Sequence, residues 1–460
     1  MESLQLHRAS PLFAVLAVLL AACGSGGSAP SGEVEGPVPI IIVDLDTLRA
    51  DHLGCYGYDQ PTSPHLDRFA AEAAHFRWAF AQGPATPPSQ ASILTGLYPT
   101  THGRIHNKDK VAEGVTTLAE ALRGAGYATA AFVDGGLMAA GFGLEQGFDL
   151  YDDEAGRLRT IGPKAERWLE NDAPDGPFLL LVHTYDVHSP YEDTPEPFRS
   201  MFLGGLEMPS PEFRANVTGT ISKVFDTRHQ DDPLHLTPEE IAYAVALYDG
   251  GIRHVDDWFG GFVDFLKERG LYDRSIVVVI SDHGEEFQEH GSFLHDKLYA
   301  TVTRVPMLVR FPGGHYRGPQ EAVVETIDLV PTLLEQVGVP IPEPMHGRSL
   351  LPLLRGERVR PELAVSESPN WGRRVAVADA ELRLLTAREK ENPEVELYRY
   401  RDDPLEQREM RAEAPEHAER MLRAVEGWET LVELDAFEGG EVEELDEETL
   451  EQLRALGYLQ

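Results

Sequence analysis

Three branched apolar runs end on groups able to hold a cation. Val38-Pro39-Ile40-Ile41-Ile42-Val43 leads into Asp44-Leu45-Asp46-Thr47. Phe178–Val182 leads into His183-Thr184-Tyr185-Asp186-Val187-His188, and Ser275–Ile280 leads into Ser281-Asp282-His283-Gly284. A lone Asp after a strand is an ordinary turn residue or helix cap. Three such ends, all with carboxylates and two with imidazoles, point to a metal site, because these are the side chains that bind divalent cations. A fourth stretch, Ala85-Thr86-Pro87-Pro88-Ser89-Gln90, has two prolines that suit a helix start and places Thr86 at the expected N-cap. Beside a metal, a hydroxyl at a helix tip suits a nucleophile. The positive helix end favours the alkoxide and the anion it attacks, and the cation lowers the hydroxyl pKa.

The elements that position these groups follow from pattern. The three runs read as strands buried on both faces, and Val305-Pro306-Met307-Leu308-Val309 reads as a fourth, with Pro306 suggesting a strand start or edge. Helical spacing separates them: from Ser63-Pro64, over Thr116–Gly124, from Thr237-Pro238 to about Gly270, and over Asp328–Gly338. Buried strands alternating with helices argue for an α/β sheet covered on both faces. In such sheets ligands bind outside the carboxyl ends of the strands, where the polar residues stand here. From about residue 360 short alternating segments (Arg374–Ala378, Leu382–Leu385, Glu396–Tyr400) and a helix near Pro415–Leu431 suggest a small antiparallel domain.

The N-terminus carries a different message. Pro11–Ala22 is apolar but too short for a stable membrane span, and it ends in Leu20-Ala21-Ala22-Cys23 followed by Gly24-Ser25-Gly26-Gly27-Ser28. This resembles a bacterial lipobox, so Cys23 is the expected lipidation site and the mature chain is expected to be extracytoplasmic and membrane-tethered, in the periplasm or at the cell surface. The expected divisions are a signal peptide over 1–22, a linker over 23–37, a catalytic domain over 38–358, a small domain over 359–431 and an acidic tail over 432–460. With only two cysteines in the chain, a lipidated Cys23 leaves Cys55 without a disulfide partner.

The 460 residues have 42 % hydrophobic and 25 % charged content, enough for a packed core. A formal net charge of -37, from 77 acidic and 40 basic residues, repels nucleic acid, which is excluded as a partner. It would also repel an anionic substrate, so a site for one needs local positive charge, most simply a metal.

The motifs Asp46-Thr47-Leu48-Arg49-Ala50-Asp51-His52-Leu53-Gly54-Cys55-Tyr56-Gly57, Thr62-Ser63-Pro64-His65-Leu66-Asp67, Thr86–Gly96, His183–Tyr191, Ser281–Glu286 and His295–Leu308 together resemble the sulfatase-like branch of the alkaline phosphatase superfamily. The resemblance implies a doubly wound, mostly parallel sheet sandwiched by helices, with a small C-terminal antiparallel sheet plus helix. It implies metal ligands at Asp46, Asp282 and His283, with Thr86 at the nucleophile and fourth ligand position. His188 falls where the family places a histidine that assists the leaving group. His295 falls where a residue contacts the substrate anion, with Lys297 a weaker neighbour. Asp44, two residues before Asp46 on an extended chain, is a further ligand to test.

Two departures shape the expected chemistry. Thr86 stands where sulfatases place the Cys or Ser that becomes formylglycine, and the motif's Arg is Gln90. Thr offers no route to that aldehyde, so no formylglycine is expected. The family's second Asp is Thr47, and Asp134 stands where sulfatases often have a sulfate-binding Lys. Thr at the nucleophile position resembles the phosphodiesterases and phospho-group transferases of the superfamily. The expected activity is therefore metal-dependent hydrolysis of anionic esters (small-molecule, glycan or lipid), by phosphodiester cleavage or phospho-group transfer through Thr86. Alternatives are sulfate-ester hydrolysis by a route without formylglycine, and a non-catalytic anion- or glycan-binding lipoprotein. One divalent ion is expected; the imidazole favours Mn or Zn over Ca, which prefers oxygen.

Overall fold

The computed structural model describes residues 36–210, 213, 236–357, 363–368, 373–388, 394–442 and 445–456. The expected signal peptide, Cys23 and the expected linker up to residue 35 lie outside the described residues. The branched run Ile40–Leu45 forms the central strand of an eight-stranded sheet, with every residue buried. It pairs in parallel with Phe178–Thr184 on one side and Ile276–Ile280 on the other. These are the three strands whose ends carry the chemistry, and they are immediate neighbours. Ala128–Phe132 and Leu150–Asp152 extend the sheet beyond Phe178–Thr184, and Arg304–Arg310, Ala74–Phe80 and Gly318–Glu325 extend it the other way. Only Arg304–Arg310 runs antiparallel to its neighbours.

Alternate residues of the central strands feed two cores, as the period of a strand requires. Ile41, Val43, Leu180, Val182, Val277 and Val279 face one, under the helices Pro64–Ala70, Leu158–Asn171 and Pro238–Glu268. Ile40, Ile42, Leu179, Leu181, Ile276 and Val278 face the other, under Thr86–Thr95, Leu118–Gly124 and Leu329–Val337. The long helix starts where its sequence signals it, with Thr237 and Glu240 forming a reciprocal capping box. Thr117 and Glu120 do the same for Leu118–Gly124.

Pro306 occupies neither the start nor an edge of its strand. Arg304–Arg310 lies inside the sheet, and its pairing with Ala74–Phe80 shifts register between Val305 and Met307. A bulge lets a residue without an N–H sit in an interior strand, since no ladder bond is demanded of it there.

The segments after residue 360 build a four-stranded antiparallel sheet, Ala364–Ser368, Arg374–Ala378, Arg383–Ala387 and Val395–Tyr398, with the helix Pro415–Leu434. Arg383 and Glu406, both fully buried, form an ion pair at 3.0 Å. The same Arg383 donates to the Leu298 carbonyl and the Thr303 hydroxyl, and Glu406 accepts from the Ala300 N–H, so this pair fastens the small sheet to the segment after His295. Within the acidic C-terminal run, Glu447–Ala455 is helical, and Leu453 and Leu456 are buried rather than solvated. Gln452 Oε1 accepts from the Gly136 N–H at 2.7 Å.

Candidate metal centre and active site

Asp46, one residue beyond its strand, and Asp282 and His283 after Ile276–Ile280 converge at the carboxyl edge of the sheet. Each offers a ligand atom, these atoms lie within 4.8 Å of one another, and all three side chains are buried. Local backbone geometry sets the approach. Thr47 adopts a positive φ of 58°, a strained conformation for a β-branched residue. That turn aims its N–H at Asp282 Oδ1, at 3.3 Å, while its carbonyl accepts from the Tyr248 hydroxyl of the long helix at 2.6 Å. Asp282 Oδ1 also accepts from the His283 N–H at 2.8 Å.

Thr86 joins this group. It is the first residue of the helix Thr86–Thr95, with Ala85 as the N-cap, one position earlier than the prolines suggest. First-turn N–H groups need no intrahelical partner, so Pro87 and Pro88 fit at the second and third helical positions as readily as at the first and second. The Thr86 hydroxyl lies 3.3 Å from Asp46 Oδ2 and 3.4 Å from His283 Nε2. The hydroxyl, two carboxylates and an imidazole thus come from three separate segments to one place.

Around them stand more imidazoles. His183, the next-to-last residue of the strand Phe178–Thr184, puts Nε2 3.4 Å from Asp46 Oδ2. His295 lies against His283, ring centroids 4.4 Å apart, and against His188 at 5.2 Å. His295 Nδ1 pairs with Glu285 Oε1 at 2.9 Å, and Glu285 Oε2 accepts from the Tyr191 hydroxyl at 3.0 Å. His188 directs Nδ1 at the Ser189 carbonyl, and burial pushes its pKa down to about 3. Thr86, His188, His295, Asp46, Asp282 and His283 are therefore brought together. Lys297 is not tied to the group by any described contact: its ammonium is held by the His290 carbonyl beside Tyr299, and it lines a cavity with Arg374, Glu394 and Glu396 of the small sheet.

Asp44 sits next to the group without belonging to it. It is fully buried, neither oxygen has a hydrogen bond of good geometry among the described residues, and burial pushes its carboxyl up to about 8, with Asp282 and Asp46 adding and His183 and the nearby Gln90 amide opposing. The sequence pattern gives two contributors no role of their own, His183, which it places at a strand end, and Glu285. The first had a signal, since His183 lies in register with Asp44 on the neighbouring strand. Glu285 had none beyond its place two residues after His283.

The residues of this site fit a divalent cation. Asp46 Oδ1 and Asp282 Oδ2 are buried without hydrogen-bond partners among the described residues. Burial, then repulsion from Asp282, holds the Asp46 carboxyl well above the usual carboxylate range. Two buried carboxylates side by side are costly unless a positive charge lies between them. His283 donates Nδ1–H to the Gly284 carbonyl at 2.9 Å, which turns the Nε2 lone pair toward the carboxylates.

The description "Sulfatase" matches residues 39–339, which contain every one of these side chains. The chain belongs to the sulfatase family. This family lies within the alkaline phosphatase superfamily, and a second description, the C-terminal region of N-sulphoglucosamine sulphohydrolase, matches residues 288–426. An ulvan-active sulfatase of Formosa agariphila is 27 % identical over 408 residues, covering 80 % of this chain and 76 % of its own. Among solved structures, one of a protein in complex with its substrate D-glucosamine-2-N,6-O-disulfate superposes with a TM-score of 0.71 at 20 % identity, covering 86 % of this chain and 98 % of that one. A phosphonate monoester hydrolase of Agrobacterium radiobacter gives 0.68 at 19 % identity, over 89 % and 98 %. The sulfatase-family chain is thus a hydrolase acting on ester bonds, of a family that uses a divalent metal.

Proposed function

We propose that this family member cleaves phosphodiesters, or transfers their phospho group, with Thr86 Oγ1 as the nucleophile and without formylglycine. The observation that supports this most directly is the hydroxyl of Thr86 between Asp46 Oδ2 and His283 Nε2. A divalent cation held by Asp46, Asp282, His283 and Thr86 would lower the hydroxyl pKa and offset charge on the substrate, and the imidazole favours Mn or Zn over Ca.

The chain's own residues then divide the work. Thr86 Oγ1 forms a bond to phosphorus, its proton passing to a neighbouring carboxylate oxygen, and the bond from phosphorus to the leaving oxygen breaks. The N-terminal end of helix Thr86–Thr95 faces the anion with its positive pole. We assign the proton donor to His295 rather than His188. His188 is held neutral by burial, whereas Glu285 orients His295 at Nδ1 and stabilises the charged ring, leaving Nε2 to protonate the departing alkoxide. His188 then contributes shape and a polar contact. Deprotonated His295 next takes a proton from water, or from an acceptor alcohol in transfer, as that oxygen bonds phosphorus; the bond from phosphorus to Thr86 Oγ1 breaks and Oγ1 recovers its proton from the carboxylate.

Assay of matched aryl phosphodiester, phosphomonoester and sulfate esters tests the reading. The phosphodiester is expected to give the highest kcat/KM by about tenfold or more, since Thr86 gives no aldehyde chemistry for sulfate release. Preference for the sulfate ester would refute the assignment in favour of sulfate hydrolysis by another route. Glycan or lipid esters are the natural substrate class proposed, in keeping with the ulvan-active relative. Extracytoplasmic tethering through Cys23 completes the proposal. Labelled fatty acid should be incorporated by the full chain and not by Cys23→Ser, and equal labelling would remove the anchor.

A further inference from the structure

Beside the reaction centre stands a cation that the sequence pattern did not single out. Arg157 lies in a positive-φ conformation, at 61°, immediately before the helix Leu158–Asn171. Strain of this kind persists only where the surroundings hold it. Asp134 does so: its Oδ1 accepts from the Gly156 and Arg157 N–H groups, each at 2.9 Å, and its Oδ2 accepts from the Tyr185 N–H at 3.1 Å. The carboxylate at the position of the family's sulfate-binding Lys therefore does not confront the substrate. It pins the turn that carries an arginine.

The Arg157 guanidinium bonds the Tyr185 carbonyl through Nη1, and Tyr185 packs between His183 and His188, with ring centroids 4.8 and 5.6 Å away. Its charge is felt by His188 and by His254, which pairs with Asp186. Its one carboxylate partner among the described residues is Asp193, which is 62 % exposed and 3.5 Å away, while Arg157 itself is 15 % exposed. An arginine fork that is mostly buried, rigidly placed and only loosely paired is suited to bidentate capture of an oxyanion. In a chain of net charge -37 such a group is a scarce attractor for an anion.

We infer that Arg157 recognises a second anionic substituent, a carboxylate, sulfate or phosphate, on the alcohol part of the substrate, with Asp134 as its positioning residue. This rests on the proposed ester chemistry only for which end of the substrate faces the His188–His295 pair, whose ring centroids are 5.2 Å apart. Asp193 is displaced as the substituent enters.

The test pairs an aryl phosphodiester with its analogue bearing a carboxylate on the leaving aryl ring. Arg157→Met should raise KM for the carboxylated ester by about ten- to hundredfold, the loss of a charged hydrogen-bonded contact, and leave kcat and the uncharged ester nearly unchanged. Arg157→Lys should restore part of the loss. Asp134→Asn should reproduce its direction. A parallel calorimetric titration uses phenylphosphonate and carboxyphenylphosphonate, which read binding even if no ester is turned over. Tighter binding of the carboxylated phosphonate by the wild type, abolished in Arg157→Met, supports the inference. Equal binding of the two by the wild type, no binding of the carboxylated one, or equal losses for both ligands in the variant overturns it.

Discussion

Thr86→Ala is expected to lose about a thousandfold or more in kcat against an aryl phosphodiester, with metal content largely kept. The size follows from removing a nucleophile that works as one unit with its neighbours, where single deletions abolish nearly the whole acceleration. Metal should stay because Asp46, Asp282 and His283 still supply a clustered ligand set without the hydroxyl. Thr86→Ser should retain substantial activity, since the hydroxyl remains at the helix tip and only the methyl group that restricts its rotamer is gone. Steady-state kinetics with metal analysis of the same samples checks all three outcomes. Near-normal turnover by Thr86→Ala would place the nucleophile elsewhere.

The second large effect concerns the cation. In the metal-free protein Asp46 and Asp44 hold their protons more tightly than in the unfolded chain, Asp44 up to about 8, with burial the leading cause for both. A carboxyl with a raised folded pKa stabilises the fold below its unfolded value of 3.8 and withdraws that contribution as pH rises through the folded value. Metal-free protein should therefore lose thermal stability between about pH 4 and about pH 8. A divalent ion should reverse the loss at the alkaline end, by about 2.7 kcal/mol at a hundredfold excess over Kd. Asp46→Asn removes one of the crowded charges, so its metal-free form should melt higher than the wild type at pH 8, show almost no metal-induced rise, and fall about a thousandfold in kcat/KM. Calorimetric melting across pH, with and without Mn or Zn, checks the signs. A metal-induced rise unchanged by Asp46→Asn would show that the ion binds elsewhere.

How far the fold was legible depended on how each element advertises itself. Ile40–Leu45, Phe178–Thr184 and Ile276–Ile280 contain the uninterrupted apolar runs Ile40–Val43, Phe178–Val182 and Ile276–Ile280, and a strand buried on both faces must look like that. Ala74–Phe80 is equally buried at most positions but is written AHFRWAF, with His75 and Arg77 breaking the apolar run. Ala128–Phe132 is a short run of small residues, and Gly318–Glu325 has exposed positions that mimic a loop. Such strands owe their conformation to neighbours in the sheet, which no local pattern records. The site divides similarly. Asp46, Asp282, His283 and Thr86 were readable because strand ends and a helix start announce them. His183, Glu285 and Arg157 act through contacts across strands and loops, and Lys297, close to His295 in sequence, turns away to the His290 carbonyl.

Rapid acid quench of the metal-loaded protein during phosphodiester turnover, followed by peptide mass mapping, tests the central claim most directly. A phosphoryl or phosphodiester adduct on Thr86, absent from Thr86→Ala and from metal-free samples, is the result this geometry predicts. Turnover that proceeds at full rate with no adduct on Thr86 at any quench time, or with the group on another side chain, would contradict it.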